Sequence, residues 1–252
     1  MFFKKFLYTK FPKQYGMLLA FYGYLALPIK LFLFKSNIEI FFGNKDQDKW
    51  VVKEVMNYKK KGYFIDLAAT DGIHENNTYF LEKKLNWDGI CIEPNRVFFN
   101  QLRKNRNVNC FCEVIDNEAK EIDFFPNKGI GGIVGDKFDN NFVKREKILK
   151  KAFDNNKIEK RFTKTIKDIL LLSKAPKIID YFSLDIEGAE ENIINNFPFN
   201  EYKILSMTIE RPTPKINEIL KKNDMIFVKN YKVDSFYINK ILQDKINIKF
   251  EK

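Results

Sequence analysis

Two carboxylates, each at the end of an apolar run, are the strongest chemical signal in this sequence. Asp66 ends the run YFID before a turn of small residues, and Glu93 ends the run ICIE before a proline. An apolar strand, a tight turn, a helix and a second strand that ends in a carboxylate form a βαβ unit that holds nucleotides. We therefore predict that Asp66 faces a bound cofactor and that Glu93 accepts hydrogen bonds from both hydroxyls of its ribose.

The turn after Asp66 restricts the class of ligand. It contains Ala68, Asp71 and Gly72, which we predict to contact the cofactor, but it lacks the GxGxxG pattern. Because a pyrophosphate could not approach this backbone closely, the turn argues against NAD and FAD. No Walker-type lysine follows it. Each of the two carboxylates also has a structural alternative to its cofactor role. Asp66 could cap the following helix, and Glu93 could form a salt bridge with Arg96.

Further acidic residues follow later strand-like runs. Asp116 comes after CFCEVID, where it would receive the amino group of an adenine or serve as a turn residue. In the run YFSLDIEGAE, Asp185 and Glu187 would flank the reactive end of the cofactor. Glu190 fits the first turn of a helix, where the helix dipole favours a negative charge. Glu210 ends another apolar run at the same edge of the predicted sheet.

These converging carboxylates predict a pocket for a cationic ligand with hydroxyl groups, and no metal site. Metal ligands usually lie closer together in sequence or include histidine. The one histidine of the chain, His74, lies just beyond the turn. It is either a general base or a polar loop residue. Asp185 is the first candidate for the general base and His74 is the second.

Alternating strand and helix signals place these residues at one edge of a sheet. Strands that alternate with helices imply a parallel sheet covered on both faces. Thr165 fits the N-cap of a helix, and the basic stretch 141–160 has a helical pattern. Helices are also predicted at about 77–86, at 95–106 and after Gly188. The predicted strands cover 63–67, 89–93, 108–114, 121–125, 178–184, 203–209, 225–229 and 234–240.

The net charge of +11 is concentrated in two segments of the 252-residue chain. Residues 1–36 contain six lysines and no acidic residue, and residues 141–167 contain ten basic and three acidic residues. We predict an aromatic-rich basic segment, 1–36, that either lies on an anionic membrane surface or packs as core helices. One domain, 37–252, follows with a basic insertion at 141–167. Three cysteines, an odd number, favour free thiols in a reducing compartment.

Six motifs together resemble the FkbM-type family of S-adenosylmethionine-dependent methyltransferases. The resemblance runs from about Asp46 to Arg211, and the joint order and spacing of the motifs are specific. It implies the α/β, Rossmann-like class I methyltransferase fold, with a mostly parallel seven-stranded sheet, helices on both faces and a terminal antiparallel strand pair. The motifs are DQDKW (46–50), FIDLAATDG (64–72), NNTYFLE (76–82), the W-x-G-x-x-x-E-P run (87–94), SLDIEGAE (183–190) and TIERP (208–212).

Family membership implies roles for individual residues. The turn 66–72 would lie on the methionine side of the cofactor, and Glu93 would hold the ribose. Ala68 stands where the family usually has glycine, which would tighten the pocket and weaken cofactor affinity. Asn76 stands where a serine is common. Neither difference removes a charge that the reaction needs, so we expect an active enzyme that O-methylates a sugar or glycan hydroxyl.

The acceptor and the partners follow less directly from the sequence. The basic insertion favours an anionic small-molecule or glycan acceptor, and the basic N-terminus suggests a cytoplasmic enzyme that contacts the inner membrane face. An RNA methyltransferase is one alternative, although no RNA-binding pattern is visible and nucleic acid is not expected as a partner. The other alternative is a non-catalytic membrane-surface module that keeps the fold but has lost the cofactor.

Overall fold

The computed structural model divides the chain into two compact units, Met1–Phe41 and Phe42–Lys252. In the first unit, the described residues are helical over 27–35. Within the part of the chain that the structure describes, no helix is both long and apolar enough to cross a membrane. Glu187 and nearly all of 136–156 lie outside the described residues. The structure describes residues 27–43, 45–127, 131–135, 150, 152, 154–155, 157–186 and 188–246.

A mostly parallel sheet of seven strands forms the centre of the second unit. The strands of the chain are β1 (Tyr63–Leu67), β2 (Asp88–Ile92), β3 (Asn109–Phe111), β4 (Val114–Ile115), β5 (Glu121–Phe125), β6 (Gly132–Ile133), β7 (Glu159–Lys164), β8 (Ile178–Leu184), β9 (Lys203–Glu210), β10 (Met225–Tyr231) and β11 (Asp234–Asn239). The main sheet has the order β10-β11-β9-β8-β1-β2-β3. Only β11 pairs antiparallel with its neighbours, β9 and β10. This is the predicted class I methyltransferase fold.

Three of the helices begin at residues whose side chains accept hydrogen bonds from free backbone N–H groups. Thr165 caps α4 in a capping box with Asp168, as the sequence predicts. Asn95 caps α3, and Thr213 caps α6 with a proline at its first turn. The helices are α1 (Gln47–Trp50), which continues as a π-helix over Val51–Val55, α2 (Tyr79–Leu85), α3 (Arg96–Asn105), α4 (Ile166–Leu172), α5 (Glu190–Asn196) and α6 (Pro214–Lys222).

Alternate side chains of β1 face opposite sides of the sheet, because successive strand residues point to opposite faces. Ile65 and Leu67 belong to a buried core with apolar residues of α4, α5 and α6. Phe64 faces the other side, where its ring lies 5.3 Å from the guanidinium of Arg106. Asp66 shares that side with Phe64 and bonds residues of the β1–α2 connection.

Two predicted elements differ from the observed ones. The predicted strand 108–114 is divided, because β3 ends at Phe111 and Val114 pairs with β7 in a second sheet of order β4-β7-β5-β6. The predicted helix 141–160 gives way to a strand at Glu159, where Phe162 pairs with Glu121 of β5. In both places the deciding partner is distant in sequence, so local patterning does not reveal it.

Candidate active site

A cavity of about 510 Å³ opens at the carboxyl ends of the central parallel strands. Small-molecule sites typically have volumes of about 300–1,000 Å³, and open α/β sheets bind their ligands at this edge. Ala68 follows β1 and Glu93 follows β2 in the wall of the cavity, where Asp185 and Glu210 also lie. The tertiary structure thus brings together residues from four strand ends.

Glu93 presents a buried carboxylate to this cavity and is held by two backbone N–H groups. Oε2 accepts from Thr70 N at 3.0 Å, and Oε1 accepts from Asn95 N at 2.8 Å. Burial raises the pKa of Glu93 to about 7, against the effect of the two hydrogen bonds. Each oxygen keeps acceptor capacity for a further donor. Arg96, the alternative salt-bridge partner, instead lies 3.8 Å from Glu159.

The turn after β1 contains a strained alanine. Ala68 lines the cavity and has a φ of 66°, and Thr70 and Gly72 also have positive φ. The N–H groups of Ala68 and Ala69 both donate to the carbonyl of Ile92 at 3.0 Å, which fixes the turn against β2. The left-handed region costs a non-glycine residue about 1–2 kcal/mol. Ala68 therefore has the backbone conformation that the family's usual glycine would adopt without strain.

Asp71 forms hydrogen bonds within the loop that follows β1 and is not part of the cavity wall. Its Oδ1 accepts from the backbone N–H groups of Ile73 and His74, at 2.9 and 2.8 Å, and its Oδ2 bonds His74 Nδ1. Neither Asp71 nor His74 lines the cavity. Gly72 lies outside it as well, and a Cβ at this position would come within 2.8 Å of the Arg106 side chain.

Asp66 belongs to a buried polar network behind the turn and does not line the cavity. Its Oδ2 accepts from Asn76 at 2.9 Å and from Thr78 at 2.7 Å. Arg106 donates to the side-chain oxygens of both residues at 2.9 Å and pairs with Glu82. Burial raises the pKa of Asp66, while Thr78, Arg106 and Asn76 oppose the rise. The network fixes the shape of the turn.

A lysine lies among carboxylates at the other end of the cavity. Lys45 Nζ is 2.8 Å from Asp234 and 3.6 Å from Glu210. Burial lowers the pKa of Lys45, but Asp234, Asp185 and Glu210 raise it above its usual value overall. Gln47 donates to the second oxygen of Asp234 at 2.7 Å. Lys45, Gln47, Asp185 and Glu210 all line the cavity.

The remaining predicted residues lie away from the cavity or outside the described residues. Asp116, predicted to meet an adenine, accepts from Asn192 at 2.8 Å and lies 3.0 Å from Lys120. It does not line the cavity. Glu190 accepts from the backbone N–H groups of residues 186 and 188, each at 2.9 Å, and so holds the loop after β8. Glu187 is not described, and its predicted role stays a prediction.

Comparison with known families identifies this arrangement. A family model described as the methyltransferase FkbM domain matches residues 66–240. The chain belongs to the FkbM methyltransferase family. The match confirms the family resemblance that the sequence motifs indicate. No curated protein matches the chain.

Three solved methyltransferase structures are similar to parts of the FkbM chain. The methyltransferase FkbM from Methylobacillus flagellatus KT has 14% identity and a TM-score of 0.43 over 72% of this chain, which spans 44% of that protein. A TehB-like SAM-dependent methyltransferase from Corynebacterium glutamicum has 7% identity and a TM-score of 0.39. The match covers 87% of this chain and 98% of that protein. The precorrin-6y C5,15-methyltransferase from Geobacter metallireducens has 13% identity and a TM-score of 0.36. The match covers 76% of this chain and 85% of that protein.

The FkbM cavity has acceptors suited to S-adenosylmethionine. Glu93 is placed for a pair of hydroxyl donors, as a ribose provides. Asn77 also lines the cavity, and its Oδ1 is buried without a hydrogen-bond partner among the described residues. A buried acceptor of this kind favours a ligand that supplies a donor, such as an ammonium group. The amide nitrogen of Asn77 donates to Ser183 at 3.0 Å, which fixes the orientation of the Asn77 side chain.

Sequence reasoning missed three residues of this region of the FkbM domain. Lys45 directly precedes the DQDKW motif, and a charged residue beside such a motif is a weak signal. Arg106 ends a predicted helix, where a basic residue ordinarily interacts with the helix dipole and solvent. Asn77 lies within the NNTYFLE motif, whose first three residues all prove to have structural or cavity-facing roles.

Proposed function

We propose that this FkbM-family chain is an S-adenosylmethionine-dependent O-methyltransferase that acts on a hydroxyl group of a sugar or glycan. The observation that carries the proposal is one cavity whose wall includes Glu93 as well as Asp185 and Glu210. Glu93 suits the ribose of a cofactor. Carboxylates at the other end suit an acceptor with several hydroxyl groups, because carboxylate oxygens accept hydrogen bonds from hydroxyls.

The charge of the cavity wall supports S-adenosylmethionine as the cofactor. Five carboxylates and two cations line the cavity among the described residues. When bound, S-adenosylmethionine supplies an activated methyl group on a positively charged sulfonium. A wall with excess negative charge favours such a ligand. The remaining task of the protein is to orient the acceptor oxygen and to exclude water.

Asp185 is the proposed general base. A hydroxyl acceptor must lose its proton as the methyl group is transferred, and the base must lie at the cavity. Asp185 follows β8 and lines the cavity, whereas His74 is held by Asp71 outside it. Once an acceptor has been identified, Asp185→Asn should lower the kcat of its methylation by about 100-fold or more, while affinity for the cofactor is retained. Full turnover in this variant would exclude Asp185 as the base.

The first experiment is a calorimetric titration of S-adenosylhomocysteine into the purified full-length chain. We expect micromolar binding, and we expect Glu93→Ala to weaken it by about 100-fold because two hydrogen bonds to a charged acceptor are lost. Glu201→Ala is the matched control, since Glu201 pairs with Lys167 at the surface and lies outside the cavity. Absence of binding by the folded wild-type chain would contradict the proposal and favour the non-catalytic module.

A second experiment tests the acceptor class. Transfer of a radiolabelled methyl group would be measured with free sugars, sugar phosphates, glycan extracts and RNA as separate acceptors. Alkali-stable methylation of a sugar hydroxyl is the expected result. Methylation of RNA, with no labelling of the free sugars, sugar phosphates or glycan extracts, would overturn the sugar assignment in favour of an RNA methyltransferase.

The proposal includes peripheral contact of residues 1–36 with an anionic membrane surface. On the helical segment 27–35, Ile29 and Phe32 are 60% and 68% exposed, and Lys30 and Lys35 accompany them. Apolar and basic side chains on one helix favour binding in the headgroup region. Flotation with anionic liposomes at low salt tests this contact. Failure of the full-length chain to float would exclude it.

A further inference from the structure

A second cavity lies between α6 and the terminal strand pair. Its volume is about 850 Å³. Residues of α6, β10 and β11 line it, together with the residues that follow β9 and the turn between β10 and β11. Arg211 and Val233 line both cavities, so the second cavity adjoins the end of the first that contains Glu210 and Asp185.

The two cavities have opposite charge. Arg211, Lys221 and Lys232 line the second cavity, and no carboxylate does so among the described residues. In the described part of the chain, no carboxylate lies within ion-pair distance of Lys221 or Lys232, whereas Arg211 is 3.2 Å from Glu210. A pocket lined by cations and no acid attracts an oxyanion.

The backbone holds two of these cations together. The N–H of Arg211 donates to the carbonyl of Val233 at 2.8 Å, which fastens the end of β9 to the turn that contains Lys232. Arg211 and Lys232 both have positive φ, at 46° and 59°. Because the conformations of non-glycine residues in this region are strained, both positions are determined by their surroundings and not by local preference.

A neutral donor, the side-chain amide of Asn217, also lines the second cavity. Tyr237 donates to the side-chain oxygen of Asn217 at 2.5 Å. With its oxygen engaged, the Asn217 amide offers its NH₂ group, a hydrogen-bond donor, to a ligand. Ser235 donates to the side-chain oxygen of Asn230 at 2.6 Å, and both residues line the same cavity.

We propose that this second cavity binds an anionic group, a phosphate or a carboxylate, of the acceptor molecule. The inference rests on the proposed function, because it assigns the reacting hydroxyl to the first cavity and the charged group to the second. The acidic end of the first cavity then contacts the neutral, hydroxyl-bearing part of the acceptor. The shared residue Arg211 lies where the two parts meet.

The test is calorimetric titration of inorganic phosphate, pyrophosphate and acetate into the full-length chain saturated with S-adenosylhomocysteine, at constant ionic strength. Wild-type protein should bind pyrophosphate or phosphate if the acceptor is phosphorylated, and acetate if it is carboxylated. Lys221→Gln combined with Lys232→Gln should weaken that binding by about tenfold or more, since charge-assisted hydrogen bonds are lost. The control pair, Lys222→Gln with Lys245→Gln, removes the same charge outside the cavity.

The outcomes separate this proposal from the proposed function. Retained S-adenosylhomocysteine binding with no affinity for any of the three anions would overturn the anion site and leave the methyltransferase assignment intact. Equal weakening in both variant pairs would also overturn it, because the anions would then respond to net charge alone. Loss of S-adenosylhomocysteine binding by the wild-type chain would contradict the proposed function, whatever the anions do.

Discussion

The ammonium of Lys45 lies 2.8 Å from the carboxylate of Asp234, and the two residues are 189 positions apart. This ion pair connects the segment before α1 to the first residue of β11, beside the acidic end of the cavity. Asp234 is 2% exposed and Lys45 is 13% exposed. Burial raises the pKa of Asp234, while Lys45 opposes the rise and places a cation beside this buried carboxylate, next to the proposed acceptor site.

Replacement of Lys45 by methionine should lower the free energy of unfolding by about 3 kcal/mol at pH 8, because Asp234 is left buried without its cation. The loss should become smaller at pH 5, since a carboxyl whose pKa is raised becomes neutral on acidification. Urea denaturation at both pH values measures this. Adding Asp234→Asn to the variant should recover much of the loss at pH 8. An equal loss at both pH values would contradict the electrostatic explanation.

Affinity for S-adenosylhomocysteine should fall as the pH is lowered through about 7, the pKa to which burial raises Glu93. Ribose hydroxyls donate to the ionised carboxylate, so the ligand binds the deprotonated form, which dominates above that pH. Calorimetry between about pH 6 and pH 9 would measure the affinity, and Glu93→Gln should bind weakly at every pH. His74→Asn is the control, because it replaces a histidine that lies outside the cavity. A flat profile in the wild type would contradict this prediction.

Ala68→Gly should raise the free energy of unfolding by about 0.5–1 kcal/mol. Relief of the left-handed strain exceeds the entropy that glycine adds to the unfolded chain. The variant should also bind S-adenosylhomocysteine more tightly, since a methyl group is removed from the cavity wall. Denaturation and calorimetry measure the two effects. Ala69→Gly is the matched control, because the neighbouring buried residue has no positive φ and should lose stability.

Arg106→Met should lower the free energy of unfolding by about 3 kcal/mol, because Glu82 keeps only Lys83 as a cationic partner and the side-chain oxygens of Asn76 and Thr78 lose their buried donor. Arg106→Lys should recover little, since a single ammonium cannot reproduce the fork that reaches Asn76, Thr78 and Glu82. Denaturation of Arg106→Met with Glu82→Gln should show partial recovery. Hydrogen exchange should report faster opening of the turn 66–78 in the single variant. A loss under 1 kcal/mol would exclude an important role for the network.

Much of the main sheet could be predicted because its strands are rich in apolar residues and end in polar turns. β1 and β8 of the main sheet, and β5 of the second sheet, were predicted at their observed bounds, and the terminal strand pair was predicted as well. The short strands β4 and β6 carry too few residues for a pattern to appear. β7 is a half-exposed strand within a basic segment, and its pairing with β5 outweighs the local helical pattern.

The candidate site could be predicted only in part. Glu93, Ala68 and Asp185 line the cavity, as expected of residues that directly follow parallel strands. Asp66 instead lies within β1, one residue before its end, and its side chain joins the network of Arg106 on the Phe64 side of the sheet. Asp116 likewise bonds neighbouring side chains. The end of a strand is visible in sequence, whereas the direction of its last side chain depends on the packing of the following loop.

The sequence by itself determined the family, the parallel sheet and the strand ends at which ligands bind, because hydrophobic periodicity and ordered motifs are local properties. The tertiary structure alone decided which polar residues meet. Only the folded chain brings Lys45 to Asp234, places Arg106 beneath the turn and sets a basic cavity beside an acidic one. These relationships join residues far apart in the chain, so they depend on how the helices and the terminal strands pack around the sheet.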